Sequence, residues 1–229
     1  MSTKIFYAAD STVAQNTILT YPQSGIGQAL PLYLKKGIVV HNHAVNGRST
    51  KSFIDESRMV PIYDRITEGD FLFIQFGHND EKINDPTRYT DPEGEYRVNL
   101  EKFVNVARNK KAFPVFITPL ERRCFLEDGT LGPGEHGPYV AAMKKAAEQL
   151  NVPLIDLNEK SRREMVKAGV EETKKWYMHL PANVYPAYPE GLTDNTHLQY
   201  EGAVHYAGCI AEGLKELGGI YSDILLAQE

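Results

Sequence analysis

Short apolar runs of strand length recur along the chain, and between them lie segments whose apolar positions return every three to four residues. The first run, Lys4-Ile5-Phe6-Tyr7-Ala8-Ala9, is unbroken and aromatic-rich; it stops at Asp10, and Ser11 follows at once. Further runs at 38–45, 71–76, 114–118 and 153–156 read as strands, with Phe71-Leu72-Phe73-Ile74-Gln75-Phe76 the strongest. Continuous rather than alternating apolar character predicts strands covered on both faces. Helical spacing predicts helices over 61–67, 96–110, 139–150 and 200–217. Another is expected over 25–34, kinked or split at Pro31, and one capped by Asn158 runs to about 168. The stretch 13–23 lacks periodicity and reads as loop.

Strands that alternate with helices imply right-handed crossovers and a parallel sheet with helices on both faces. The expected fold is therefore α/β, a three-layer α/β/α sandwich around a five-stranded parallel sheet. Its short crossovers predict a flavodoxin-like strand order. No repeat, low-complexity tract or linker divides the chain, so 1–229 reads as one domain. Three connections are too long to be mere turns: 80–95, 120–137 and roughly 169–194. Such loops are usually functional, and all three are expected near the Ser11 end of the sheet.

In open parallel sheets ligands bind beyond the carboxyl ends of the strands, which is where Ser11 falls. Taken alone, Asp10-Ser11-Thr12 also reads as a turn and helix cap. Three later stretches change the weight of that reading: Val45-Asn46-Gly47-Arg48-Ser49, Phe76-Gly77-His78-Asn79-Asp80 and Thr193-Asp194-Asn195-Thr196-His197. With Ala9-Asp10-Ser11-Thr12 they resemble, in order, the four signature blocks of the GDSL-like (Ser-Gly-Asn-His) hydrolases. The Asp-Ser-Thr and Asn-Gly-Arg-Ser forms of the first two blocks are most similar to the rhamnogalacturonan acetylesterase branch.

The residues fit that chemistry individually. A serine hydroxyl needs a base within hydrogen-bond reach, and His197 can take its proton and return it to the leaving alcohol. Asp194, three residues earlier, can meet the imidazole ring across a tight turn and fix its tautomer. The backbone amides of Ser11 and Gly47 and the side-chain amide of Asn79 are the expected oxyanion donors. No Gly-x-Ser-x-Gly elbow occurs, which argues against an ordinary α/β-hydrolase. Read separately, Asn46-Gly47 is a turn pair, Asp194 a helix N-cap and His197 a surface histidine. His78 and Asp80 have no chemical role legible here.

A formal net charge of −5 argues against a general polyanion-binding surface, so no nucleic-acid partner is expected. No run reaches the length of a membrane span, and Met1-Ser2-Thr3-Lys4 leads straight into the first strand, which predicts a cytoplasmic protein. Two cysteines, Cys124 and Cys209, are too few for a disulfide framework and read as free thiols. His41 and His43 share a strand face but lack a third ligand, and no Gly-rich phosphate loop is present; no metal or cofactor is expected.

For substrate contacts the candidates are Arg122 and Arg123 after the fourth strand, where guanidinium forks suit the carboxylates of a pectic backbone. Trp176 and Tyr185 stand in the aromatic, proline-rich loop, where rings suit sugar faces. The resemblance implies an esterase removing O-acetyl groups from carbohydrate, with acetylated pectic oligosaccharides as partner. Two alternatives stay open: a lysophospholipase- or thioesterase-like acyl hydrolase, and a non-catalytic carbohydrate-binding protein.

Overall fold

Along β1 (Lys4–Ala9) the side chains alternate between two cores. Ile5, Tyr7 and Ala9 enter one cluster, while Phe6 and Ala8 enter the other. This period of two on a strand buried on both faces places the sheet between two helical layers. The protein, described here by a computed structural model, is defined over residues 3–227. Met1 and Ser2, part of the amino-terminal stretch read above, and residues 228–229 lie outside the described residues.

After β1 come β2 (Gln23–Ser24), α1 (Ile26–Ala29), β3 (Val39–Asn42), α2 (Thr50–Asp55), α3 (Val60–Arg65), β4 (Phe71–Gln75) and α4 (Glu95–Asn109). The chain continues through β5 (Phe113–Ile117), α5 (Gly137–Leu150), β6 (Leu154–Ile155) and α6 (Leu157–Thr173). It ends with β7 (Tyr177–Leu180), β8 (Leu192–Gln199), α7 (Tyr200–Leu217) and α8 (Gly219–Ser222). The main sheet is parallel, in the order β3-β1-β4-β5-β6. Counted within that sheet the order is 2-1-3-4-5, the expected flavodoxin-like arrangement. Residues of α1 and α7 cover the Tyr7 and Phe73 face, and residues of α4 and α5 cover the Phe6 and Leu72 face.

Three helix expectations are corrected, and one further helix is added. The helix expected over 25–34 is the single turn α1 followed by a 3-10 turn, Leu30–Tyr33, because Pro31 cannot continue the α-helical ladder. Helix α2 has no counterpart in the apolar pattern; Ser49 and Ser52 cap it reciprocally, Ser52 Oγ accepting from the Ser49 amide at 2.9 Å and Ser49 Oγ from the Ser52 amide at 3.2 Å. Asp156, not Asn158, caps α6 by accepting from the Glu159 amide at 3.2 Å, and Asn158 instead donates to Pro119 O. Helix α6 also runs past Gly169, which absorbs a kink at φ +78°, to Thr173.

The connection 169–194 is therefore no simple loop. It holds β7 and the start of β8, which join β2 in a second, antiparallel sheet of order β2-β8-β7. This small sheet carries the His197 region across to the end of β1.

Candidate active site

Ser11 sits in the turn that leaves β1, between β3 and β4 at the point where strand order reverses. Asp10 builds the turn: its Oδ1 accepts from the Thr12 amide at 3.0 Å and from Thr12 Oγ1 at 2.8 Å, and Val13 N–H closes onto Asp10 O at 3.2 Å. The turn reading of Asp10-Ser11-Thr12 therefore holds, but no helix begins there, so Asp10 caps a turn and not a helix. Helix α1 docks directly on this turn, Gly27 N–H donating to Val13 O. A Cβ at Gly27 would lie 2.4 Å from Asn42 Nδ2 and 2.8 Å from Val13 O, so only glycine permits the approach.

His197 arrives from β8. Opposite β7 the pairing jumps from Tyr177–Leu198 to Met178–Asp194, so Asn195, Thr196 and His197 bulge out of the ladder. Asp194 Oδ1 secures the bulge by accepting the amides of Thr196 at 2.7 Å and His197 at 3.1 Å. Its Oδ2 lies 2.7 Å from His197 Nδ1, and His197 Nε2 lies 2.9 Å from Ser11 Oγ. An ionised carboxylate can only accept, so Nδ1 carries the ring proton and Nε2 is left to accept from the serine hydroxyl. Burial raises the Asp194 carboxyl, but the bond and charge of His197 and the two amides outweigh it and hold the group down at about 2.

Gly47 occupies a tight turn after β3, closed by Arg48 N–H on Val45 O, at φ +75°. That is the backbone state the third position of a type II turn requires. Neither the Ser11 nor the Gly47 amide donates to an acceptor among the described residues. Asn79, after β4, donates from Nδ2 to Arg48 O at 3.1 Å, which leaves its second amide proton uncommitted. Arg88 Nη1 donates to Asn79 Oδ1 at 3.3 Å and so fixes which way the amide faces. Ser11, Gly47, Asn79, Asp194 and His197 all line one cleft of about 440 Å3. Every residue lining it is polar or glycine. A larger groove, about 580 Å3, lies between the Leu32–Tyr33 turn, α7 and Leu225, away from all of these groups.

The substrate candidates fare differently. Arg122 lines the cleft, but its guanidinium donates to Thr196 Oγ1 and to Glu81, with Glu135 at 3.0 Å. Arg123 is buried and spent on the fold: it donates to Val170 O and Thr173 Oγ1 at the end of α6 and to Asn195 Oδ1. Trp176 is buried against His205, with ring centroids 4.1 Å apart, because it packs onto α7 rather than outward. Tyr185 lies tilted against Tyr21 and borders a different hollow from the one holding Ser11.

His78 lines the cleft and its ring lies tilted against His136, centroids 4.2 Å apart. Burial, then the charges of His136, Arg122 and His197, hold it well below the usual imidazole range, so it stays neutral. His41 and His43 stack on Phe6. Among the described residues no group of three or more His, Cys, Asp or Glu is placed to hold a metal ion. The hold of Arg88 on Asn79 and the Arg122–Thr196 contact are not legible in the sequence. The first leaves only a surface-arginine signal, and the second depends on residues 74 positions apart.

The arrangement can supply a nucleophile, an oriented base and three donors around one open cleft. Comparison with known proteins places the chain in a family. Over 228 residues the chain is 41% identical to the rhamnogalacturonan acetylesterase RhgT of Bacillus subtilis, covering 99% of this chain and 95% of that one. It is 26% identical to the rhamnogalacturonan acetylesterase of Emericella nidulans, covering 96% of this chain and 88% of that one. A crystal structure of a further Bacillus subtilis protein superposes with a TM-score of 0.81 at 26% identity; the match covers 95% of this chain and spans 57% of that one. An acetylxylan esterase from Geobacillus stearothermophilus shares the fold, with a TM-score of 0.59 at 17% identity over 96% of this chain and 95% of that one. Residues 10–203, from the Asp10 turn to the start of α7, match the family model, and the chain belongs to the GDSL-like lipase/acylhydrolase family.

Proposed function

We propose that the protein is a serine esterase that removes O-acetyl groups from carbohydrate, with acetylated rhamnogalacturonan oligosaccharides as its substrate class. The observation that carries this reading is the relay from Ser11 through His197 to Asp194, at 2.9 and 2.7 Å, opening on a wholly polar cleft. Relatives named as rhamnogalacturonan acetylesterases supply the sugar class. A lysophospholipase- or thioesterase-like activity needs an apolar acyl groove, and no aliphatic side chain, Phe, Tyr or Trp lines this cleft. The site draws residues from position 11 to 197 into one cleft, which supports reading 1–229 as one domain. Two free thiols, Cys124 and Cys209, suit a reducing compartment, so we place the enzyme in the cytoplasm, acting on fragments rather than intact polymer.

In this mechanism His197 Nε2 takes the Ser11 proton as Oγ attacks the acetyl carbonyl. The developing oxyanion is met by the amides of Ser11 and Gly47 and by the free Asn79 amide proton. Collapse breaks the bond to the sugar oxygen, which leaves with the proton held on His197. Water, deprotonated by the same ring, then attacks the acetyl-serine and releases acetate. Asp194 keeps the ring oriented and stabilises the imidazolium in both halves.

The test is acetate release from acetylated pectic, xylan and chitin oligosaccharides, together with p-nitrophenyl acetate turnover. Ser11→Ala is expected to lose roughly 10³-fold or more in turnover while staying folded, and a serine-directed phosphonate to label Ser11. A fully active alanine variant, or no acetate from any oligosaccharide, overturns the reading; binding without turnover would favour the non-catalytic alternative.

A further inference from the structure

Among the charged side chains that line the cleft beside Ser11, cations outnumber anions three to one. The chain has a formal net charge of −5. Yet apart from His78 and His197, the titratable side chains lining the cleft are Lys82, Arg88 and Arg122 against Asp194. Asp194 is committed to His197. Two of the three cations are committed as well. Arg88 Nε lies 2.6 Å from Asp85 Oδ2, and its Nη1 holds Asn79 Oδ1. Arg122 lies 2.9 Å from Glu81, 3.0 Å from Glu135 and 2.7 Å from Thr196 Oγ1.

Lys82 differs. Among the described residues its ammonium meets neither a carboxylate nor any other acceptor. Its backbone is nonetheless fixed, since Lys82 N–H donates to Asn79 O at 3.3 Å in the turn that carries the oxyanion amide. A flexible cation is thus tethered three residues from Asn79, at the edge of a cleft whose other charges are already balanced.

Resting on the acetylesterase reading above, we propose that Lys82 forms a carboxylate subsite. It pairs with the carboxylate of a uronate residue in the same oligosaccharide as the acetylated sugar. A compact ammonium on a four-carbon stem suits a ligand carboxylate whose position varies with the acetylated residue. Its uncompensated charge also raises the local concentration of acidic substrate.

The test compares kcat/KM on an acetylated galacturonate oligosaccharide with that on the same oligosaccharide methyl-esterified at its carboxylates. The wild-type protein, Lys82→Gln and Lys82→Arg are measured, with p-nitrophenyl acetate reporting whether the catalytic centre survived each substitution. The wild type should prefer the free acid. In Lys82→Gln the acid-to-ester ratio should fall about 5- to 10-fold at low salt, the lower end for a charge-assisted bond because the group is exposed. Lys82→Arg should keep most of the preference, and about 0.5 M salt should compress it in the wild type.

An unchanged ratio in Lys82→Gln overturns the subsite, as does equal loss on both oligosaccharides. Equal wild-type turnover of acid and ester also removes it, while leaving the acetylesterase reading intact. Turnover of p-nitrophenyl acetate with neither oligosaccharide deacetylated removes the carbohydrate reading, and the subsite falls with it.

Discussion

Arg122 Nη1 donates to Thr196 Oγ1 at 2.7 Å, and Thr196 immediately precedes His197. The neighbouring Arg123 donates its backbone amide to Asn195 O at 2.9 Å. Two consecutive residues beyond β5 therefore grip the two residues between Asp194 and His197. Glu81 completes the hold, taking Arg122 Nη2 at 2.9 Å and His136 Nδ1 at 2.7 Å. Burial raises the Glu81 carboxyl, but His136 and Arg122 outweigh it and keep it below the usual range, so it is ionised in this role.

It follows that Arg122 is a positioning residue rather than a reader of substrate charge. Arg122→Gln should lower kcat roughly 10- to 100-fold, the order expected when a catalytic group drifts by about an ångström. The loss should be similar for p-nitrophenyl acetate and for an acidic oligosaccharide, with KM nearly unchanged. Loss confined to the acidic substrate would return Arg122 to substrate binding.

Asp194 is expected to be needed as an anion. With its carboxyl held at about 2, it stays ionised well into acid. Its effect on stability has a definite sign. The folded value lies below the ordinary 3.8, so its contribution is present above that value and is lost as pH falls through about 2. Asp194→Asn should cost roughly 10³-fold or more in turnover, since the amide favours the wrong tautomer. Near-wild-type rates would require another orienting group.

Much of this architecture is legible in residue patterns, and the exceptions share a cause. Phe71 to Ile74 announce a central strand because they are buried on both faces. In contrast, β8 reads Leu-Thr-Asp-Asn-Thr-His-Leu-Gln and is mostly half-buried, held by pairing with β7 rather than by an apolar face. No hydrophobic period marks such a strand, so 169–194 reads as loop. Ser11 and His197, 186 positions apart, are joined in the sequence only by the order of four motifs. Arg123 and Trp176 show the converse. Their residue types suit sugar binding, but tertiary packing against α6 and α7 uses them elsewhere.

Asn79 should act on the transition state rather than on bound substrate. One amide proton is tied to Arg48 O and the oxygen to Arg88, which leaves one proton aimed by the structure rather than by the ligand. Asn79→Ala should reduce kcat by roughly 10²–10³-fold with little change in KM. Steady-state kinetics on p-nitrophenyl acetate separate the two; raised KM at unchanged kcat would make Asn79 a ground-state contact.

Asp80, next to Asn79, has a structural task. It is fully buried, and its Oδ1 accepts from the Thr50 amide at 3.0 Å, Thr50 Oγ1 at 2.5 Å and Thr90 Oγ1 at 2.9 Å. It thereby ties the first turn of α2 to the loop before α4. Burial pushes its carboxyl up to about 7, the bonds from Thr50 and Thr90 only partly offsetting the cost of the charge. Between the ordinary 3.8 and about 7 the folded protein therefore binds more protons at this site than the unfolded chain. Stability from this group falls as pH rises through that window and levels off above it. Asp80→Asn keeps an accepting oxygen but cannot titrate. The Tm of the wild type minus that of Asp80→Asn should thus decrease between about pH 5 and about pH 8. Asp80→Ala should destabilise at both pH values, by about 1–3 kcal/mol for each buried donor left unsatisfied. Parallel wild-type and Asp80→Asn melting curves across that range would show that Asp80 is ionised throughout, its charge carried by Thr50 and Thr90.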